Sequence, residues 1–260
     1  QAIMFSPQIS YTTSGSRFKK TERQNIFQSL STVNEFMDLQ YLDIADGTID
    51  LKLKNNIRVQ LEKADVSIQS NSLLTSTKVS GIKNSLTNLK FKKGMIQAGN
   101  LIMVLGNIHY VGKNGQFGAG SISVKDKEKE LDIILQEVAV EKMQVNEVTG
   151  SVFANGVQWQ KADVIINSIG SAKKDSSNAP IIDLKNIRGA NTTVNATARG
   201  KLITTTLQKI FLNSLLKKPG TKVLMDGLDI TGNQLQIKGN QLNLSVETYD
   251  VADNKNSSFH

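Results

Sequence analysis

The chain has 260 residues and a formal net charge of +8, with no cysteine and only two histidines. This composition excludes a disulfide-stapled fold, a thiolate zinc or iron–sulfur site and a histidine-rich metal cage. Aromatic residues make up 5% of the sequence, which argues against a base-stacking platform for single-stranded nucleic acid. The sequence contains no run of about eighteen apolar residues, so it predicts no membrane-spanning helix.

The first predicted elements are a flexible, polar lead-in over residues 1–20 and a helix over about residues 21–37. Thr21 and Gln24 fit a capping box, in which each side chain satisfies the other residue's free backbone amide. Apolar side chains then recur at helical spacing, at Ile26, Leu30, Val33 and Met37. We therefore expect one helix before the β region.

From about residue 41 the apolar period changes to two, which predicts strands with one apolar and one polar face. Two such runs flank Asn55-Asn56 and predict a β-hairpin. Its apolar positions are Ile49, Leu51, Leu53, Ile57, Val59 and Leu61. Beyond Glu62-Lys63 the apolar set shifts by one residue, to Ala64, Val66 and Ile68, and this shift predicts a β-bulge or a bend.

The same alternation continues to about residue 250, where the last apolar set is Leu242, Leu244 and Val246. Turn or bulge signals separate the runs, at Gly99-Asn100, Asn114-Gly115, Asn155-Gly156 and Gly239-Asn240. The pattern predicts a mainly β fold of long antiparallel strands, in a curled, groove-like or sandwich-like sheet.

One segment breaks the alternation and predicts a second helix over about residues 203–218. Apolar side chains recur there at helical spacing, at Ile203, Leu207, Ile210, Phe211 and Leu215. Pro219-Gly220 follows and would end a helix.

A weak repeat runs through residues 21–250, which we expect to form a single mostly β domain, followed by a flexible tail over 251–260. An apolar frame starts at residues 39, 86, 135, 184 and 225, so successive copies lie 41–49 residues apart. A strand-only repeat of this kind adds one meander per copy, and each copy needs its neighbour to cover its apolar face. The alternative interpretation is that these matches arise by chance, as they do in any antiparallel β protein.

Motifs for enzymatic chemistry are missing from the sequence. There is no Walker A motif and no G-x-G-x-x-G, and His109 lies in an apolar run with no histidine near it in sequence. We therefore expect no enzymatic activity, no cofactor and no metal site. The net charge predicts an acidic partner, although short lysine clusters such as Lys92-Lys93 and Lys217-Lys218 also suit solvated turns. An anionic membrane surface is one such partner, and no nucleic-acid module is recognisable.

The β runs resemble a recurring phrase of the AsmA-like and TamB-like bacterial envelope proteins, apolar-x-apolar-x-x-Gly-x-apolar. The phrase is carried by YLDIADGTIDL over residues 41–51, by LKFKKGMI over 89–96 and, with its glycine one position early, by LDITGNQL over 228–235. The resemblance implies repeated strands in a U-shaped hydrophobic groove, which moves phospholipid between bacterial membranes, and a role in outer-membrane assembly. Family members typically carry an N-terminal membrane helix, which this sequence does not show, so we expect a segment of a longer protein or a free relative.

These observations together predict a non-enzymatic lipid-binding or lipid-transfer segment of the bacterial periplasm or cell envelope. Phospholipid or another acyl lipid is the expected ligand, shielded along an apolar inner face. The candidate lining residues are Ile49, Leu51, Leu53, Ile57, Val59, Leu61, Val66, Ile68, Leu242, Leu244 and Val246. The predicted helix over 203–218 would cap the groove or rest on a membrane. The alternative is a structural or adhesive β-sandwich or solenoid with a dry core, which binds a protein or glycan.

Overall fold

The fold is almost entirely β, as the alternating sequence pattern predicts, and its long strands are mostly antiparallel. The structure is a computed structural model. It describes residues 2–12, 40–53, 57–69, 85–128, 130–146, 151–169, 181–198, 200–239, 243–253 and 257–259. The helix predicted over residues 21–37 lies outside these ranges. The chain divides into two compact units, residues 1–114 and 115–260, where the sequence suggests one domain.

Among its described residues, unit 1, residues 1–114, contains six strands. They are β1 (Ala2–Phe5), β2 (Gln8–Thr12), β3 (Tyr41–Leu53), β4 (Ile57–Gln69), β5 (Leu86–Ala98) and β6 (Leu101–Val111). Strands β3 to β6 form an antiparallel meander in which each strand pairs with the next. Strands β1 and β2, which lie in the predicted lead-in, pair in parallel with the outer edge of β3.

Unit 2, residues 115–260, contains nine strands among its described residues. They are β7 (Gln116–Asp126), β8 (Leu131–Val145), β9 (Val152–Trp159), β10 (Lys161–Ile169), β11 (Ile182–Ala198), β12 (Lys201–Lys217), β13 (Val223–Lys238), β14 (Asn243–Asp253) and β15 (Ser257–Phe259). Strands β9 and β10 lie one after the other between β8, to which both are antiparallel, and β11, to which both are parallel. Strands β11 to β14 form a second antiparallel meander, and β15 pairs with the start of β13.

The predicted hairpin and bulge of unit 1 are both confirmed. Leu51 lies opposite Val59, and Leu53 lies opposite Ile57. The register shifts next to Lys63, whose φ of 54° lies in the left-handed region, one of the conformations found in β-bulges. A second bulge at Asp46 shifts the register in the opposite sense, and the Asp46 backbone N–H donates to Asp65 Oδ1 at 2.9 Å. The two bulges compensate, so the apolar side chains before and after them lie on the same face.

Two of the turn and bulge signals are confirmed in their local backbone. Gly99, with φ of 59°, and Asn100 form the two-residue loop between β5 and β6. Gly156, with φ of 68°, lies in the middle of β9 rather than in a loop. A Cβ atom at Gly156 would meet only the flexible, exposed Glu141 side chain, which can move, so the left-handed φ is what favours glycine in this bulge.

The helix predicted over residues 203–218 is wrong, because these residues lie in strand β12 and the turn that follows it. Spacings of four, as from Ile203 to Leu207, fit a strand as well as a helix, since four is a multiple of two. The step of three from Leu207 to Ile210 comes from a bulge, because the register with β13 shifts between Leu207 and Lys209. The spacing of the apolar residues alone does not distinguish a helix from a strand here. Pairing with β11 on one side and β13 on the other makes this segment a strand.

The most buried apolar residues of unit 1 cluster beside the bulges. Ala64, Phe91 and Ile108 are exposed by 0%, 6% and 4%, and they are neighbours across β4, β5 and β6. The described residues beside the bulges therefore include the most deeply buried apolar side chains of this unit.

Replacing Phe91 with alanine should destabilise the protein by about 3 kcal/mol, since a large buried ring is lost and a cavity remains. The Met95→Ala variant is the matched control, because Met95 lies on the same strand and faces the opposite side of the sheet. Its cost should stay below about 1 kcal/mol. Urea unfolding followed by far-UV circular dichroism measures both values, and equal costs would contradict the assignment of the two faces.

Candidate functional site

One face of the unit 1 sheet is apolar at every described position of strands β3 to β6. Cross-strand partners have side chains on the same face, so the register identifies its members. We call this set the unit 1 apolar face. It consists of Leu42, Ile44, Gly47, Ile49 and Leu51 on β3, Ile57, Val59, Leu61, Ala64, Val66 and Ile68 on β4, Leu86, Leu89, Phe91, Gly94, Ile96 and Ala98 on β5, and Leu101, Met103, Leu105, Ile108 and Tyr110 on β6.

The three strands β4, β5 and β6 change phase at the same level, which keeps the apolar set aligned across the sheet. The changes occur at Lys63, at Lys92-Lys93 and at Asn107, and both Lys63 and Asn107 have left-handed φ angles. A Cβ atom on Gly94 would meet the Phe91 ring at 2.6 Å, which confirms that Phe91 and Gly94 share a face although three residues separate them. Without these matched shifts half of the apolar residues would turn to the other side.

Much of the unit 1 apolar face is only half-buried. Leu51, Val59, Ile96 and Met103 form one row across the four strands, and each keeps partial exposure. Among the described residues of the whole chain, the largest fully buried side chain is that of a serine, Ser85. A second layer packed on this row would bury large aliphatic side chains completely. The row therefore has accessible hydrocarbon surface.

On strands β3 and β4 the opposite face of unit 1 is mostly polar, and an ion pair joins the two strands there, whereas on β6 this face carries Ile102 and Val104. Arg58 donates to both carboxylate oxygens of Asp50, from Nε at 3.1 Å and from Nη2 at 2.7 Å. Acidic residues of β4 also lie opposite two lysines of the sequence cluster, Glu62 opposite Lys93 and Asp65 opposite Lys90. This arrangement suits contact with water, and it offsets part of the positive charge in the lysine cluster.

The Arg58 guanidinium hydrogen-bonds Asp50 and thereby holds the pKa of that carboxyl below its usual range, against a smaller opposing contribution from burial. A carboxyl whose pKa is lowered in the folded state stabilises the fold above its unfolded pKa of about 3.9. That contribution is lost as the pH falls through the lowered pKa. The pair is partly exposed and screened by solvent, so its effect on stability is small.

Unit 2 also has a sheet face that is mostly apolar. We call this set the unit 2 apolar face. It consists of Ile122 and Val124 on β7, Leu131, Ile133 and Leu135 on β8, Ala162, Val164 and Ile166 on β10, Thr192, Val194 and Ala196 on β11, Ile203, Thr205 and Leu207 on β12, Gly232, Leu235 and Ile237 on β13, and Leu244, Val246 and Tyr249 on β14. Leu244 is exposed by 43%, so this face also has accessible hydrocarbon at its outer strand.

The predicted lining residues divide between the two units. Ile49, Leu51, Ile57, Val59, Leu61, Val66 and Ile68 all lie on the unit 1 apolar face, and the backbone of Leu53 pairs with Ile57. Leu244 and Val246 lie on the unit 2 apolar face, and Leu242 is outside the described residues.

The residues predicted to form a cap helix lie in strand β12 instead. Ile203 and Leu207 lie on the unit 2 apolar face, Ile210 pairs with Ile230, and Leu215 pairs with Leu184 and Met225. Phe211 pairs with Arg188, whose guanidinium carbon lies 5.9 Å from the ring centre.

Sequence reasoning missed several residues of these faces. Met103 and Leu105 lie in a run that is apolar on both sides, since Ile102 and Val104 alternate with them, so the sequence shows no period there. Trp159 and Tyr249 were not candidates either. Each of these two rings lies over a glycine of a neighbouring strand, and only the strand register shows which glycine that is.

No protein family profile matches the sequence, and no curated protein matches it significantly. Within the described part of the chain, no helix has the length and apolar character needed to cross a membrane.

Removing the partner of Asp50 should reduce stability only where Asp50 is ionised. The urea midpoint of an Arg58→Gln variant should lie below that of the unchanged protein at about pH 7, and the difference should shrink at an acidic pH below the lowered pKa of Asp50, where the carboxyl is protonated. Urea unfolding at both pH values measures this. A difference of the same size at both would show that Arg58 acts through packing and not through the ion pair.

Proposed function

We propose that this protein binds lipid without enzymatic activity, and that its apolar sheet faces shield acyl chains during storage or transfer. The observation that carries the proposal is a broad aliphatic face on a sheet whose described side chains leave it half-buried. Large apolar surfaces that remain accessible on a soluble sheet commonly mark a site for an apolar ligand or partner.

The size of the unit 1 apolar face suits a lipid chain. Strands of 13 residues, such as β3 and β4, extend for about 40 Å, and four adjacent strands span about 14 Å. The acyl chains of one membrane leaflet extend about 15 Å, half of the hydrocarbon core of about 30 Å. One face therefore offers room for a chain lying along the strands.

The energetics favour exchange with a membrane. Each methylene removed from water contributes about 0.8 kcal/mol, so a chain of about fourteen would gain on the order of 11 kcal/mol relative to water. A bilayer offers a similar hydrocarbon environment, and transfer between the membrane and an aliphatic sheet face is therefore close to neutral. Near-neutral transfer is what a carrier needs, because the ligand must enter and leave.

The polar face and the head group complete the proposed mechanism. The ion pair of Asp50 and Arg58, together with the opposed charges of β4 and β5, favours contact of that side of these strands with water. The head group would remain at an edge of the sheet in contact with solvent, and the net charge of +8 favours an anionic one. The resemblance to AsmA-like and TamB-like proteins supports the same function, and it supports a location in the bacterial periplasm or cell envelope.

The adhesive or structural alternative predicts a different degree of burial for the apolar side chains of the sheet. A dry sandwich or solenoid core would fully bury large side chains, whereas Val59 and Ile96 keep partial exposure. This contrast is the reason to favour lipid.

Introducing a carboxylate on the unit 1 apolar face should remove bound lipid. In Val59→Asp an ionised group would face hydrocarbon at a cost above about 1.4 kcal/mol, so the lipid bound to unit 1 should fall at least about tenfold. Gln97→Asp is the matched control, because Gln97 lies opposite Arg58 on the polar face. Organic extraction followed by mass spectrometry measures lipid per protein after incubation with phosphatidylglycerol vesicles.

A milder variant guards against loss of folding. Val59→Thr keeps the shape of valine and adds one hydroxyl, so it should bind an intermediate amount of lipid and retain its β spectrum. If Val59→Asp is folded and carries as much lipid as Gln97→Asp, the unit 1 apolar face is not a binding surface. If the unchanged protein extracts no lipid, the proposed function is wrong.

A further inference from the structure

Two aromatic side chains of unit 2 lie flat on the sheet, each over a glycine of the neighbouring strand. Trp159 lies opposite Gly189, and Tyr249 lies opposite Gly232. A Cβ atom built on Gly189 would lie 2.2 Å from the Trp159 ring, and one on Gly232 would lie 2.3 Å from the Tyr249 ring. Real Cβ atoms do not approach so closely, so any other residue at either glycine would lift the ring off the sheet.

Each ring is also held by a hydrogen bond to a threonine. Trp159 Nε1 donates to Thr192 Oγ1 at 2.9 Å, and that hydroxyl donates to the Ala190 carbonyl at 3.3 Å. The Tyr249 hydroxyl bonds Thr205 Oγ1, which donates to the Asn233 carbonyl at 3.1 Å. The polar atom of each ring is therefore used within the sheet, and the ring faces present hydrocarbon.

The two rings lie on the same side of unit 2. Thr192, Leu207, Gly232 and Tyr249 are successive partners across strands β11 to β14, and Trp159 reaches this row through its bond to Thr192. Both rings keep partial exposure. They therefore contribute half-exposed aromatic faces to the unit 2 apolar face.

We propose that Gly189 and Gly232 are specificity-determining residues, which keep Trp159 and Tyr249 flat so that a linear acyl chain can lie against the ring faces. This inference rests on the proposed function and names the part of unit 2 that contacts the ligand. Flat rings offer broad contact to methylene groups, whereas rings raised from the sheet would occupy the space of the chain. An unbranched fatty acyl chain is the ligand class that fits this surface.

Trp159 is the only tryptophan in the chain, so its fluorescence reports on this place alone. The probes are phosphatidylglycerol vesicles whose acyl chains carry two bromine atoms at mid-chain, and matched vesicles without bromine. Bromine quenches an indole at short range. We expect brominated lipid to quench the fluorescence of Trp159 and unbrominated lipid not to quench it. Mass spectrometry measures the amount of lipid per protein in the same samples.

The outcomes separate this inference from the proposed function. Bound lipid with quenching supports the acyl contact at Trp159. Bound lipid without quenching overturns this inference and leaves lipid binding by another surface. Absence of bound lipid overturns both.

The glycine requirement is tested on the opposite side of the same row. Gly232→Ala should lift Tyr249 and reduce quenching of Trp159 by brominated lipid, and Gly232→Ala combined with Tyr249→Leu should restore it, because the clash is then relieved. Thr205→Val removes the hydroxyl without changing the glycine, and it should also reduce quenching. Far-UV circular dichroism checks folding of all three variants. Unchanged quenching in folded Gly232→Ala and Thr205→Val would overturn the role assigned to the flat ring.

Discussion

The strand period of two is the constraint on which the rest of this structure depends. It assigns each side chain to one of two faces, and a shift of one residue would exchange them. In unit 1 the strands change phase at one level, at Lys63, Lys92-Lys93 and Asn107, and Asp46 offsets the shift on β3. The bulges thus preserve a continuous aliphatic face on strands that also bend.

The unit 1 apolar face is only partly covered by the residues that the structure describes. The bend buries Ala64, Phe91 and Ile108, yet the row of Leu51, Val59, Ile96 and Met103 stays half-buried. Burial of aliphatic surface is the main favourable contribution to folding, and the partial exposure of this row is the observation on which the proposed function rests. In the proposed function an acyl chain would supply hydrocarbon contact on this face and leave the Asp50–Arg58 pair on the other face in water.

The sequence predicts local features of this fold well. The register of the β3–β4 hairpin and the bulge at Lys63 follow from the alternation and its one-residue slip, and Gly99-Asn100 indicates its loop. Strand β12 could not be recognised, because a bulge between Leu207 and Lys209 gives a strand the spacing of a helix. Periodicity alone does not distinguish the two, whereas pairing with two neighbouring strands does.

Long-range features of the candidate site could not be predicted from the sequence, for a different reason. Trp159 meets Gly189 only because β9 and β11 pair in parallel, and no local pattern predicts that pairing. The same holds for Tyr249 over Gly232, since the partner glycine is recognised only from the register. The apolar positions of one hairpin are readable from its own alternation, but the surface that several strands build together depends on their order.

The chain has no cysteine, so a single introduced cysteine can carry a spin label at a chosen face. Met103 lies on the unit 1 apolar face, and its neighbour Val104 lies on the opposite one. Electron paramagnetic resonance, with a water-soluble nickel relaxation agent, measures the accessibility of labels at Met103→Cys and Val104→Cys before and after adding phosphatidylglycerol vesicles. A lipid-binding face predicts that the Met103 label is accessible without lipid and becomes shielded and immobile with it, while the Val104 label does not change. A Met103 label that is already shielded and immobile without lipid, and stays so when lipid is added, would contradict the account.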